Sequence, residues 1–175
     1  PGGRYCSGEH YAAKELEKIK GKACFTLAGK EALPFGNIGI EKVFSLKKDT
    51  LAVNYALCNY GEAEESFCFA TEIDLSFPGE GDDFVRIYKC KAGAKDLQVK
   101  ALEALNADAL KIQDIKNEVL INISSTNIFD MCVKPHRIRQ GDAELYQSTV
   151  FIPIFSVTLK NGETWKNEFT LKFTN

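Results

Sequence analysis

Residues 148 to 175 read STVFIPIFSVTLK, NG, ETWKNEFTLKFTN. In the last of these runs Trp165, Phe169, Leu171 and Phe173 alternate with Lys166, Glu168, Thr170 and Lys172. A two-residue period sets successive side chains on opposite faces of a pleated strand and suits no helix. Two strands alone are marginal in water, so such a chain must supply further strands to cover the apolar face. Asn161-Gly162 is the dipeptide that a type I′ hairpin favours, because both central residues need positive φ, and it predicts that the two runs pair with each other. Pro153 lacks an N–H, and a bulge or an edge position is expected there.

The same period recurs upstream. IGIEKVFSL (38 to 46) and LAVNYALC (51 to 58) flank KKDT as a predicted hairpin, with Leu51, Val53, Tyr55 and Leu57 on the apolar side. SFCFATEIDLSF (66 to 77) sets Ile73, Leu75 and Phe77 against Glu72, Asp74 and Ser76, PGEGDD (78 to 83) breaks the run, and FVRIYKCK (84 to 91) resumes it. NEVLINIS (117 to 124) alternates again, while ALKIQDIK suits strand or helix equally. Two stretches carry helical spacing instead. In residues 9 to 21, Ala12, Leu16 and Ile19 fall at i, i+4 and i+7 before Gly21, and in 94 to 106 Leu97, Ala101, Leu102 and Leu105 line one face. Without βαβ alternation or an internal repeat, the expectation is a mainly β (or α+β) chain. It forms one domain over 1–175, an antiparallel β-sandwich or strongly bent sheet. Two helices lie near residues 9–21 and 94–106, and the N-terminal segment 1–22 packs its helix on the β body.

Composition narrows the partners. The chain is 45% hydrophobic and carries twelve Phe and six Tyr, too apolar and aromatic for disorder. Its net charge of −2 provides no global attraction for nucleic acid, and no run approaches a transmembrane segment. Cys6, Cys24, Cys58, Cys68, Cys90 and Cys132 are spread without close C-x-x-C pairs; their even number suits three disulfides of undetermined connectivity. The start at PGGRYC suits a mature exported chain whose signal peptide is gone, so the expected compartment is secreted, cell surface or periplasmic.

The densest chemistry is DMCVKPHRIRQ, residues 130 to 140. Lys134, His136, Arg137 and Arg139 form a cationic cluster able to grip a carboxylate, phosphate or sulfated sugar. A Cys132–His136 nucleophile pair would need a helix that Pro135 disfavours, so the stretch reads as a basic loop anchored by a disulfide at Cys132. Glu80, Asp82 and Asp83 are oxygen ligands in a glycine-containing turn, but EF-hand spacing is absent and turn formation accounts for them. G-x-S-x-G, H-E-x-x-H, a Walker loop and a dinucleotide loop are all missing, which leaves no catalytic, metal or cofactor assignment. Asn122-Ile123-Ser124 matches the N-glycosylation sequon.

These readings lead, by elimination, to an exported, disulfide-containing binding or adhesion module. It would be a surface antigen, adhesin or inhibitor-like domain recognising a protein or an anionic glycan through loops on a β scaffold. The alternatives are a carrier holding a lipid or small apolar ligand in an internal cavity, and an enzyme without a recognisable motif.

Overall fold

The computed structural model describes residues 12–19, 22–29, 38–90, 97–99 and 106–175, with 12–19, 22–29 and 97–99 described through their backbone. It is built from twelve strands: β1 (Ala12–Ile19), β2 (Lys22–Gly29), β3 (Ile38–Lys47), β4 (Thr50–Asn59), β5 (Glu65–Ala70), β6 (Ile73–Leu75), β7 (Val85–Cys90), β8 (Leu97–Val99), β9 (Ala107–Asp114), β10 (Val119–Gln140), β11 (Ala143–Leu159) and β12 (Thr164–Thr174). Every pairing whose register is resolved is antiparallel. The mainly β, antiparallel expectation is met. Two compact units make up the chain, one from Pro1–Phe67 and Val157–Phe169, the other from Cys68–Ser156 and Thr170–Asn175.

In the first unit β1, β2, β3 and β4 follow one another as an antiparallel meander, with β12 beside β4. Here the expected helix over 9–21 is corrected: Ala12–Ile19 is a strand, and the rest of that stretch lies outside the described residues. The register supplies the reason. Leu16 stands opposite Phe25, Phe25 opposite Phe44 and Phe44 opposite Val53, an apolar row across four strands that a lone three-turn helix cannot match. A register shift between Ala13 and Glu15 makes room for Lys14 and blurs the two-residue period, which is how helical spacing arose. The hairpin of β3 and β4 forms as predicted. Val53, Tyr55 and Leu57 are buried along its inner side, and Lys48 takes a φ of 52° in the turn.

The Asn161-Gly162 turn differs from its prediction. Only Gly162 has positive φ (72°), and Glu163 N donates to Lys160 O at 3.0 Å, the type II rather than the type I′ pattern. β11 pairs with β10, β5 and β6, whereas β12 pairs with β4 and β10. The turn therefore hands the chain from one ladder to another. Asn59 sets the exit: Gly162 N donates to Asn59 O at 2.8 Å and Asn59 N to Glu163 O at 3.0 Å.

In the second unit the undecided stretch at 109–116 is mostly strand β9, flanked by β7 and β10, and β7 carries β8 on its other side. The expected helix over 94–106 is corrected too, since Leu97–Val99 pairs with β7; most of its other residues lie outside those described. No helix occurs among the described residues. β10 serves two ladders in turn: Val119–Ser124 and Phe129 pair with β9, and Asp130–Gln140 pair with β11. Between Ser124 and Phe129 the register with β9 breaks, the local irregularity by which one strand changes partners.

Phenylalanines from several strands fill this unit. Phe155 stacks on Phe69 with centroids 6.2 Å apart and meets Phe129 edge-on at 5.9 Å, while Phe77 meets Phe151 at 6.4 Å. Burying each such ring contributes roughly 1.5–3 kcal/mol, with a little more from the edge-on geometry.

Pro153 sits in a paired part of β11 without a bulge. Its carbonyl accepts from Thr71 N at 3.3 Å, and Thr71 lies in the gap between β5 and β6. In extended backbone a residue's N and C=O point to the same side, so the missing N–H faces the interruption in the neighbouring strand. The break that proline demands falls on its partner.

The three-disulfide framework is also corrected. Cys58, Cys68, Cys90 and Cys132 all carry thiols, and Cys6 and the Cys24 side chain lie outside the described residues. Pairing explains it for three of the four: Cys58 stands opposite Gly39, Cys90 opposite Ala109 and Cys132 opposite Ile152.

Candidate functional site

The basic stretch is a strand and not a disulfide-anchored loop. From Asp130 to Gln140 it pairs with β11, with one irregularity opposite Gln147 between His136 and Arg137, so its backbone groups are spent in a ladder and its side chains alternate. Met131 and Val133 are buried; Lys134, His136, Arg137 and Arg139 are exposed. Lys134 and His136 share one face, while Arg137 and Arg139 follow Pro135 on the other. The fold thus brings the four cations onto one strand and divides them between its two sides.

Their surroundings differ. One guanidinium nitrogen of Arg137 donates to both Glu80 carboxylate oxygens, at 3.0 and 2.8 Å, which ties β10 to the 78–84 connection. Both partners are more than two-fifths exposed, and a pair of this kind is worth ~0–1 kcal/mol. Arg139 Nε donates to Gly141 O at 3.2 Å, across the hairpin turn. Glu80 therefore serves an arginine, and no cluster of metal-ligating side chains assembles among the described residues.

On the opposite face β6, β11 and β10 line up so that Asp74 stands across from Val150 and Val150 across from Lys134. His136 stands across from Ser148, its neighbour in this row pattern. Its Nδ1 is 3.7 Å from Asp74 Oδ2 and 3.5 Å from Ser148 Oγ. The carboxylate distance exceeds a short hydrogen bond but is within ion-pair reach once the imidazole is protonated. With Nδ1 turned toward the carboxylate and the hydroxyl, Nε2 lies on the far side of a ring whose side chain is 50% exposed. The result is an accessible imidazole oriented by a carboxylate, with an ammonium on the same face. Such a face can hold hydroxyl groups by donating and accepting, and can exchange a proton with one of them.

Asp74 and Ser148 were not predicted as site residues. Alternation had placed Asp74 on an outward face, but its meeting with His136 depends on β6 pairing with β11, a long-range choice with no local signal.

No protein-family model matches the chain, and no curated relative does. Solved structures do. A galactose mutarotase-like protein from Clostridium acetobutylicum superposes with a TM-score of 0.63 over 94% of this chain and 66% of its own, at 11% identity. The chain has a galactose mutarotase-like fold. A galactose mutarotase-like protein from Lactobacillus casei gives a TM-score of 0.63 over 94% of this chain and 73% of its own, at 10% identity. The 4-α-glucanotransferase from Thermococcus litoralis gives 0.58 over 94% of this chain but 22% of its own, at 15% identity, so there the same arrangement is one part of a longer protein. This chain spans about two thirds of the length of the Clostridium protein.

These likenesses, with the thiols, correct the functional expectation. An exported, disulfide-containing adhesin, surface antigen or inhibitor-like module is not what the fold resembles, and neither is a carrier of apolar ligands. These neighbours are galactose mutarotase-like proteins and a 4-α-glucanotransferase. No helix among the described residues is long and apolar enough to cross a membrane.

Proposed function

We propose that this protein binds carbohydrate, on the face of β6, β11 and β10 that carries Asp74, Ser148, Lys134 and His136. The observation that supports this most is the mutarotase-like fold extending over 94% of the chain. The chemistry of the face agrees: a pyranose is recognised by several directed hydrogen bonds, and this surface offers a carboxylate acceptor, an imidazole and an ammonium, with the buried Ser148 hydroxyl behind the imidazole. Lys134 and His136 extend the class to sugars bearing a carboxylate or sulfate.

Titration of isotope-labelled protein with galactose, glucose and galacturonate, read from backbone amides, tests the proposal. Saturable shifts confined to residues 74, 134–136 and 148–150 are expected. His136→Ala should weaken binding about tenfold, the loss of one hydrogen bond to a polar ligand. An unresponsive surface for all three sugars up to about 50 mM, well above the range of millimolar contacts, would sink the proposal.

A second reading, mutarotation catalysis, is favoured by the His136–Asp74 pair. Interconverting sugar anomers requires a proton to leave the anomeric hydroxyl and another to reach the ring oxygen, and an accessible carboxylate-oriented imidazole can supply one of those transfers. Polarimetry of freshly dissolved α-D-galactose in the same samples separates catalysis from binding alone: an unchanged rate of optical rotation leaves a binding module.

A further inference from the structure

Tyr60, in the first unit, immediately follows β4. At 65% it is the most exposed large apolar side chain among the described residues. Its position is nevertheless fixed. Asn59 N donates to Glu163 O at 3.0 Å on one side, and on the other Gly61 N donates to Asn59 Oδ1 at 2.8 Å. The ring lies over Gly39, where a Cβ would come within 2.5 Å of Tyr60 Cε2 and 3.3 Å of Cδ2, and Gly39 is buried beneath it. A glycine in a strand interior costs stability, and here its missing side chain is the seat of an aromatic ring. Gly39 stands opposite Cys58, and Glu41 shares the face of Gly39 two residues along β3. Cys58 holds the phenol above the usual tyrosine range through its charge and a hydrogen bond, with smaller contributions from desolvation and from Glu41, so the one hydroxyl proton is directed at Cys58.

We infer that Tyr60, seated on Gly39 beside Glu41, is a stacking platform for one pyranose ring of a glycan, additional to the sugar contact on β10. The inference rests on the carbohydrate reading for its ligand class but not for its site. One face of many pyranoses is a patch of C–H groups rimmed by hydroxyls. An aromatic ring covers the patch while the rim needs hydrogen-bond partners. Tyr60 provides the ring, and its phenol oxygen and the Glu41 carboxylate provide acceptors for the rim hydroxyls. Because the platform is already held in place, little conformational freedom is lost on binding. A protein partner would want a contiguous apolar area, whereas this face carries a single branched apolar residue, Val43, among Glu41, Asn54, Ala56 and Cys58.

The test uses the whole chain with 13C-labelled tyrosine, the Tyr60 ring signals assigned by their loss in Tyr60→Phe, and methyl β-D-galactopyranoside as probe. A saturable Tyr60 shift is expected in the wild type and in His136→Ala alike. Gly39→Ala displaces only the far end of an exposed ring, so the fold stays intact and Tyr60 still reports; affinity there should fall about tenfold. Tyr60→Phe, followed through the amides of Gly39 and Glu41, should stay within about threefold because the ring face remains. If amides around His136 respond while Tyr60 does not, the platform is refuted and the site on β10 stands. A Tyr60 response indifferent to Gly39→Ala refutes the seating, and silence throughout refutes both.

Discussion

Phe155→Ala is expected to destabilise the protein by about 4 kcal/mol, seen as a lower denaturant midpoint with little change in slope. Phe155 is 2% exposed and meets two other rings, Phe69 at 6.2 Å and Phe129 at 5.9 Å. Truncation removes its transfer free energy and leaves a hole between the stacked Phe69 ring and the edge-on Phe129 ring. Because those two partners come from β5 and β10, the loss is felt on both flanks of β11. A cost under about 1 kcal/mol would mean that the three rings do not form a common core. Phe155→Leu should recover roughly half of the loss, which distinguishes missing volume from missing ring geometry.

The second large effect concerns a polar side chain. Asn59 is completely buried, yet its amide is fully occupied: Nδ2 donates to Ala63 O at 2.7 Å and Leu159 O at 3.0 Å, while Oδ1 accepts from Gly61 N at 2.8 Å. Three backbone groups, two in the connection after β4 and one at the end of β11, depend on it. Alanine would leave them without partners, at a cost of about 3 kcal/mol. Asp is the informative comparison. It keeps the acceptor for Gly61 N but turns a donor toward two carbonyl oxygens into a repelling carboxylate, so at neutral pH Asn59→Asp should be no better than alanine. Thermal melts of the three proteins check the order, and an Asp variant as stable as the wild type would contradict the assignment of the amide.

The strand content was legible where a strand has one wet and one dry face, as at Val53, Tyr55 and Leu57 or at Ile73, Leu75 and Phe77. It was not legible where pairing overrode local spacing. Leu16 and Ile19 read as helical because the extra residue at Lys14 shifts the phase of β1, and only the partner strand reveals this. The turn at Asn161-Gly162 was visible, but not that its two flanking strands join different ladders, since turn residues specify a reversal and not who pairs beyond it. A similar limit applies to the site. The four cations of β10 were conspicuous, but their division into two pairs follows from the pairing of β10 with β11. What gives His136 its setting is Asp74 and Ser148, 62 residues before and 12 residues after it in the chain. The cysteine reading failed for a different reason: an even number of thiols carries no information about whether any two of them face each other, and the register sets Cys58, Cys90 and Cys132 across from Gly39, Ala109 and Ile152.

The 22 residues of β10 would be hazardous as one uninterrupted ladder, because adding or losing a single position anywhere would invert every side chain beyond it. Two phase breaks prevent that, one between Ser124 and Phe129 and one between His136 and Arg137. Each works as an expansion joint. Length changes arising in descendants of this chain can be absorbed at residues 125–128 or opposite Gln147, while Phe129 to Val133 keep their seats in the interior.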